Sequence, residues 1–217
     1  MRYTAVLLDI DGTIIDSNDA HARAWVKAFQ QHGRAIAFPP IRSRIGKGGD
    51  KMLAEVAGLD SEEGEGRSIA AARTTIFKAD FLPALKPTPG ARAMLEWLRG
   101  EGVTVTIATS ATADEVGDLL RQAGVEDLIT STATSDEAEA SKPDPDIVLA
   151  ALRKSGADRA HAIMIGDTPY DIDAATAAGI RTIALRCGGG WDDEALGQAI
   201  AIYDHPADLL AHRAQSF

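Results

Sequence analysis

The stretch TAVLLDIDGTIID, residues 4–16, decides the fold and raises a question about charge. It begins as an uninterrupted apolar run, which is typical of a strand buried on both faces of a parallel sheet. It then reaches Asp9 and Asp11, two carboxylates separated by one residue, where like charges repel and the loss of water is costly. We therefore expect other parts of the chain to compensate these two charges.

Three further apolar runs alternate with segments of helical spacing. Strands that are covered on both faces by helices form doubly wound α/β sheets, whose ligands bind at the carboxyl ends of the strands. The sequence therefore predicts an α/β protein with a doubly wound parallel sheet. The predicted strands span residues 4–9, 103–110, 162–167 and 181–185, and the predicted helices lie near 90–101, 113–123, 145–155 and 170–178.

Residues 17–82 interrupt this alternation, because they contain no convincing strand. The segment NDAHARAWVKAFQQHG places His21 and Trp25 along one helical face. The segment LPALKPTPG contains three prolines and is typical of a linker. We predict a helical cap domain inserted into an α/β core; the cap spans residues 17–82, and the core spans 1–16 and 83–217.

Composition and charge exclude several classes of partner. The chain has 217 residues and a formal net charge of −10, so its surface repels nucleic acid and anionic membranes. No window approaches 18 consecutive apolar residues, and a membrane span needs on the order of that number. Asp9 comes too early for the apolar region of a secretory signal. We expect a cytoplasmic protein with no nucleic-acid or membrane partner.

Four polar features fall at the ends of predicted strands. Each alone is common in turns and caps, but their joint placement predicts one site at the carboxyl edge of the sheet. A hard divalent cation such as Mg²⁺ would relieve the repulsion, since it binds carboxylate oxygens together with a substrate phosphate. The four features are Asp9 with Asp11, Thr109 with Ser110, Lys142 in SKPDPD, and Asp167 with Asp171 in GDTPYD.

The same residue types suit the transfer of a phosphoryl group. Lys142 can offset both a carboxylate and a phosphate oxygen, and the Thr109 hydroxyl and the backbone N–H groups of residues 10–12 can hold phosphoryl oxygens. Gly12 permits close approach of the backbone. One carboxylate of the pair can attack phosphorus, while the other moves the proton of the leaving alcohol. Phosphoryl transfer depends mainly on such positioning and charge neutralisation.

Four segments, in this order, resemble the motifs of the haloacid dehalogenase-like superfamily: DIDGT, TIATS, SKPDPD and GDTPYDIDAATAAG. The match covers essentially the whole chain. The last segment is similar to that of the phosphoglycolate phosphatase and β-phosphoglucomutase subgroup, in which a helical cap follows the first motif. The resemblance implies a Mg²⁺-dependent phosphomonoester hydrolase that acts on a small phosphorylated metabolite through an aspartyl-phosphate.

The resemblance also implies individual roles. Asp9 would be the nucleophile and Asp11 the general acid and base, while Thr109 would bind the phosphoryl group and Lys142 would stabilise its charge. The implied metal ligands are Asp9, the backbone carbonyl of Asp11, Asp167 and Asp171. We add as candidate substrate-binding residues Gly12, Ser110, His21, Arg44, Lys47 and Lys51.

Several alternatives stay open at the level of sequence. A β-phosphoglucomutase-like activity is one, although RIGKGGDKML places Gly49 where the resemblance implies an arginine for the distal phosphate of a bisphosphate. A receiver-like phospho-switch, which is not an enzyme, uses similar residues but has no cap. His21 either packs within a cap helix or borders the site. Arg44, Lys47 and Lys51 are either solvated charges or a patch that binds a substrate anion.

Overall fold

One parallel sheet forms the centre of the protein, which is described here by a computed structural model of residues 2–217. Within these residues the sheet has six strands: β1 (Ala5–Leu8), β2 (Thr104–Ala108), β3 (Ser131–Ala133), β4 (Ala162–Gly166), β5 (Arg181–Leu185) and β6 (Ala201–Tyr203). Their spatial order is β3-β2-β1-β4-β5-β6, and every pair is parallel. The predicted doubly wound parallel sheet is confirmed.

Strands β3 and β6 were not predicted from the sequence. Each has three residues and stands at an edge of the sheet, where one side has no neighbouring strand. Both strands are only partly buried. Strand β3 lacks an apolar run, and the run at residues 199–203 that contains β6 is short and was not singled out as a strand. Their pairing with β2 and β5 therefore emerges only in the folded chain.

The described residues also contain ten α-helices. They are α1 (Asn18–Gln31), α2 (Phe38–Arg42), α3 (Gly49–Ala57), α4 (Gly64–Ile76), α5 (Ala91–Gly100), α6 (Ala113–Ala123), α7 (Asp146–Ser155), α8 (Pro169–Ala177), α9 (Pro206–Ala211) and α10 (Arg213–Ser216). Within the part of the chain that the structure describes, none of the helices combines the length and the apolar character needed to cross a membrane.

Residues 17–82, called the helical segment below, contain α1 to α4 and a π-helical turn over Phe77–Phe81. No strand of the sheet lies among these residues, all of which the structure describes. Helix α2, which contains Pro39 and Pro40, was not predicted. Prolines are nevertheless tolerated in the first turn of a helix, where the N–H groups have no intrahelical acceptor. The division into cap and core domains at residues 16 and 83 stays a prediction.

Strand β1 shows why its apolar run has no polar positions. Val6 and Leu8 pack on the face that α5 covers, through side chains such as Leu95. Ala5 and Leu7 pack on the opposite face, against α7 and α8. Because helices cover both faces, both sets of alternating side chains must be apolar. The carboxyl end of β1 is therefore held rigidly by a packed core on either side.

Candidate active site

The register of the sheet brings the first and fourth motifs together. Leu8 of β1 pairs with Ile165 of the neighbouring strand β4, and the Asp9 N–H donates to the Ile165 carbonyl oxygen at 2.9 Å. Strand β2, the next strand along the chain, pairs with one edge of β1, whereas β4 pairs with its other edge. Such a switch point opens a crevice beyond the strand ends. Asp9 and Asp167 both leave the sheet at this crevice.

Three buried carboxylates meet there around one ammonium group. Oxygens of Asp9, Asp167 and Asp171 all lie within 4.8 Å of one another. Lys142 donates from Nζ to Asp9 Oδ1 and to Asp171 Oδ1, at 2.6 Å in each case. The Lys142 side chain is only 1% exposed. One cation cannot balance three ionised carboxylates, so the cluster carries an excess of negative charge.

This excess shifts the proton affinities of the acids. Burial raises the pKa of Asp9 to about 7, with Asp171 and Asp11 adding to the rise and Lys142 opposing it. Burial, followed by the charges of Asp171 and Asp9, raises the pKa of Asp167 well above its usual value. Burial alone would lower the pKa of Lys142, but the two carboxylates outweigh it and raise that pKa. The cluster would be stabilised by a further positive charge.

The oxygen donors fit a divalent cation. Asp9 Oδ2 has only a long contact of 3.5 Å from the Thr13 hydroxyl. Asp167 accepts from Thr13 Oγ1 at 3.2 Å and from Asn18 Nδ2 at 2.7 Å, which orients its carboxylate. Buried carboxylates with an excess of charge are the donor set that hard cations prefer. Asp9 and Asp167 are therefore the residues best placed to hold such an ion.

Asp171 is committed to other contacts. Its Oδ1 accepts from Lys142, and its Oδ2 accepts from the Thr168 N–H at 3.0 Å and the Thr168 hydroxyl at 2.7 Å. With the Thr168 side chain it forms the capping box that begins α8. Its contacts therefore orient Lys142 and anchor the helix beside the cluster.

Gly12 allows the loop after β1 to approach the acids closely. Its φ is +75°, and a Cβ at this position would lie 2.2 Å from Asn18 Nδ2 and 2.3 Å from Asp167 Oδ2. Its own N–H donates to the Ile15 carbonyl oxygen at 2.8 Å, so this amide is engaged within the loop. Glycine is needed here for its conformation and small size.

Asp11 lies at the boundary between the core and the helical segment. Its Oδ1 accepts from Ser17 Oγ at 2.5 Å and lies 2.7 Å from His21 Nε2. Arg73 Nη2 lies 2.8 Å from His21 Nδ1. A guanidinium can only donate, so Nδ1 accepts and the Nε2 hydrogen faces Asp11. His21 also stacks on Phe77, with ring centroids 3.9 Å apart. His21 thus both packs in its helix and contacts the site.

These contacts determine the protonation of Asp11. Burial alone would raise its pKa, but the neighbouring His21, the Ser17 hydroxyl and the charge of Arg73 outweigh burial and hold the pKa of Asp11 below its usual value. Asp11 Oδ2 accepts no hydrogen bond from residues 2–217. The two aspartates of the first motif therefore have different environments, with Asp9 beside Lys142 and Asp11 beside His21.

The second motif lies on the wall of the same crevice. The Thr109 N–H donates to the Ala133 carbonyl oxygen of β3 at 3.2 Å, and the Thr109 hydroxyl accepts from the Ala111 N–H at 3.1 Å. The Ser110 hydroxyl is buried and has no hydrogen-bond partner among the described residues. Ser110 therefore has an unused donor at the position where the sequence places a phosphoryl group.

A cavity of about 550 Å³ separates the helical segment from the strand ends. Most of the predicted site residues border it. Those that do not are Gly12, Lys51, Lys142, Asp167 and Asp171. Lys51 instead donates to the Ser141 carbonyl oxygen at 2.7 Å and pairs with Asp144. The predicted residues on the cavity wall are Asp9, Asp11, His21, Arg44, Lys47, Thr109 and Ser110.

The family assignment follows from this arrangement and from comparison with known proteins. The family model described as haloacid dehalogenase-like hydrolase matches residues 6–185. The chain belongs to the haloacid dehalogenase-like hydrolases. The resemblance seen in the four motifs is thereby confirmed.

The chain is similar to proteins of about its own length and to part of a much longer one. It is 30% identical over 191 residues to the protein SUPPRESSOR OF QUENCHING 1, chloroplastic, of Arabidopsis thaliana, a match that covers 85% of this chain and 18% of the plant protein. It is 27% identical over 213 residues to the phosphoglycolate phosphatase of Rhodospirillum rubrum, covering 94% and 88% of the two chains. A crystal structure of a hydrolase from Pseudomonas syringae matches with a TM-score of 0.91 and 28% identity, over 98% and 99% of the two chains.

Three residues at the site of this hydrolase were not found from the sequence. Asn18 binds Asp167, and Arg73 links His21 to Glu115, whose Oε2 lies 2.8 Å from Arg73 Nη1. All three are polar residues on helices, where the sequence pattern indicates an ordinary solvated face. Only tertiary contacts identify them as site residues, since Arg73 lies on α4 and Glu115 on α6.

Proposed function

We propose that this hydrolase is a Mg²⁺-dependent phosphomonoesterase that acts on a small phosphorylated metabolite through an aspartyl-phosphate on Asp9. The observation that carries the proposal is the division between the two aspartates at the cavity. Lys142 holds one oxygen of Asp9 and leaves Oδ2 nearly free, while His21 and Ser17 hold one oxygen of Asp11 and leave its Oδ2 free. Each carboxylate therefore has one oxygen for orientation and one for chemistry.

In the first step Asp9 Oδ2 attacks phosphorus, and the bond from phosphorus to the substrate oxygen breaks. Asp11 gives a proton to that oxygen, which leaves as the alcohol. The pKa of Asp11 lies below its usual value before substrate binds, and the negative charge of an arriving phosphate raises it. We propose that this rise lets Asp11 take up its proton as the substrate enters.

In the second step water attacks the phosphorus of the aspartyl-phosphate. Asp11, now a carboxylate, accepts the proton of the water, and the bond from phosphorus to Asp9 breaks to release inorganic phosphate. Lys142 and the hydroxyls of Thr109 and Ser110 orient the phosphoryl oxygens. Mg²⁺ bound by Asp9 and Asp167 would supply charge neutralisation for the phosphoryl group; the Asp11 carbonyl as a further ligand stays a prediction.

Packing around Gly49 supports hydrolysis over a sugar-phosphate mutase. A Cβ at this position would lie 3.2 Å from Trp25 Cζ2, on the wall of the cavity. A long side chain at position 49 would press on that ring. The arginine that the resemblance to mutases implies here therefore has no counterpart, and water is the acceptor we propose. The similarity to the phosphoglycolate phosphatase of Rhodospirillum rubrum also supports a phosphatase.

The test uses p-nitrophenyl phosphate, whose leaving group needs little help from an acid. We expect Asp9→Asn to lower kcat with Mg²⁺ on the order of 10⁴-fold, because no phosphoenzyme can form. Asp11→Asn should still be phosphorylated but should release phosphate about 10²- to 10⁴-fold more slowly, and acid quenching should trap the phosphoenzyme. The control is Asp173→Asn, an exposed carboxylate on α8.

Retention of wild-type turnover by Asp9→Asn would exclude the proposed nucleophile. A wild-type phosphoenzyme that persists long after the substrate is removed would favour a phospho-switch over an enzyme.

A further inference from the structure

The cationic side chains on the cavity wall influence which phosphate ester can bind. Among the described residues, three lysine or arginine side chains line the cavity, namely Arg44, Lys47 and Arg73. Arg44 Nε lies 2.9 Å from Glu55 Oε2, and Lys47 Nζ lies 2.6 Å from Glu55 Oε1. One carboxylate of the chain thus engages two of the three basic residues, Arg44, Lys47 and Lys51, that the sequence left open as a patch for a substrate anion.

Arg73 is engaged still more firmly. Its Nη1 lies 2.9 and 2.8 Å from the two oxygens of Glu115, and its Nη2 contacts His21. The Glu115 side chain is only 4% exposed. Separating this pair would leave a buried carboxylate without its cation, which is strongly unfavourable. Arg73 is therefore not available to a second anion on the substrate.

Acidic side chains line the same cavity and have few partners. Asp50 and Asp136 each accept one hydrogen bond, from Ser141 and from the Ala113 N–H. Glu62 and Glu139 form no ion pair and accept no side-chain hydrogen bond within residues 2–217. A carboxylate or second phosphate on the leaving group would meet this uncompensated negative charge, whereas hydroxyl groups could donate to it.

The remaining wall suits a polyhydroxylated group. Trp25 and Met52 provide apolar surface, and Ser61 and Thr74 provide hydroxyls. Hydroxyls and carboxylates of the wall can bind the hydroxyl groups of a sugar. A cavity of about 550 Å³ also exceeds what a two-carbon acid would fill.

We propose that the preferred substrate is the monophosphate ester of a neutral sugar or polyol, and that a second anionic group on the leaving alcohol is rejected. This inference rests on the proposed phosphatase function and names the substrate class of that same site. Selectivity comes from the uncompensated carboxylates of the cavity wall, while Glu55 and Glu115 reduce the positive charge that a second anion could use.

The experiment compares substrates that differ only in charge. The first pair is 2-hydroxyethyl phosphate and 2-phosphoglycolate, and the second is glucose 6-phosphate and 6-phosphogluconate. We expect kcat/KM to be about tenfold or more higher for the neutral member of each pair. Where neither member is turned over, the inhibition constants against p-nitrophenyl phosphate hydrolysis give the same comparison.

The variant Glu55→Gln tests the cause of this selectivity. Removing the carboxylate frees Arg44 and Lys47, so kcat/KM for the anionic members should rise about three- to tenfold, while the neutral members should change less than about twofold. The matched control is Glu65→Gln. Glu65 forms an exposed ion pair in the same helical segment, but its partner Arg34 does not line the cavity, whereas Arg44 and Lys47 do.

The outcomes separate this inference from the function on which it rests. If the wild type with Mg²⁺ does not hydrolyse p-nitrophenyl phosphate, the proposed function fails and the substrate class fails with it. If p-nitrophenyl phosphate is hydrolysed but the anionic members are equal or preferred, the substrate class alone is overturned. An unchanged ratio of neutral to anionic substrates in Glu55→Gln would exclude Glu55 as a source of selectivity.

Discussion

Two regions of the molecule hold a lysine against carboxylates at the same distance and differ in nearly everything else. In the cluster at the strand ends, Lys142 lies 2.6 Å from Asp9 and from Asp171 and is 1% exposed. In the helical segment, Lys47 lies 2.6 Å from Glu55 and is 16% exposed, while Glu55 is 37% exposed. Buried ions must be paired because water is absent, whereas exposed ions can exchange partners for water. Burial, more than distance, therefore distinguishes the cluster at the strand ends from the ion pair in the helical segment.

The largest expected effect comes from removing Lys142, and removing Lys47 provides the comparison. Lys142→Met leaves buried carboxylates without their cation and should lower the free energy of unfolding by about 3–5 kcal/mol. Lys47→Met removes an exposed partner and should lower it by at most about 1 kcal/mol. Urea unfolding of both variants measures the difference, and equal losses would contradict the comparison. The double variant Lys142→Met with Asp171→Asn should recover part of the loss.

An intermediate effect is expected from Mg²⁺ and pH. Burial raises the pKa of Asp9 to about 7 in the folded protein, whereas an unfolded aspartate titrates near about 3.9. Between these values the folded state binds more protons, so the stability of the metal-free protein falls as pH rises. Mg²⁺ must displace that proton, so it should stabilise the protein more at about pH 8 than at about pH 5.5.

Thermal unfolding with and without Mg²⁺ measures this effect. At about 100 times Kd we expect Tm to rise by roughly 5–10 °C at the higher pH. Asp167→Asn should lose most of the shift, and Glu55→Gln in the helical segment should keep it. A shift of equal size at both pH values would argue against a metal site at Asp9.

The smallest expected effect tests whether burial or position in the fold determines how much an ion pair stabilises the protein. Glu115 is buried against Arg73, at the boundary between the core and the helical segment, whereas Glu55 is more exposed. Glu115→Gln should lower the free energy of unfolding by about 1–3 kcal/mol, because Arg73 then keeps a buried charge without its counterion. Glu55→Gln should change it by less than about 1 kcal/mol. Denaturant midpoints compare the two, and a larger loss in Glu55→Gln would reverse the ranking.

The central sheet was predictable because burial on both faces leaves a mark in the sequence. Strands β1, β2, β4 and β5 were predicted with bounds within two residues, since each is an apolar run between turn signals. Strand β3 carries no such run, β6 lies in a short one at residues 199–203, and α2 has two prolines in its first turn. These three elements depend on edge pairing and on packing that no local pattern records.

The sequence by itself determined that Asp9, Lys142, Asp167 and Asp171 share one site, because parallel strands deliver their carboxyl ends to a single edge. Only the tertiary structure decided which charges remain free there. In the sequence Arg44 is an open candidate for binding an anion, Arg73 looks like an ordinary helix cation, and Glu55 and Glu115 look like ordinary acids. Their pairing depends on side chains from separate elements meeting at one cavity, so the substrate preference that we propose is a property of the folded chain.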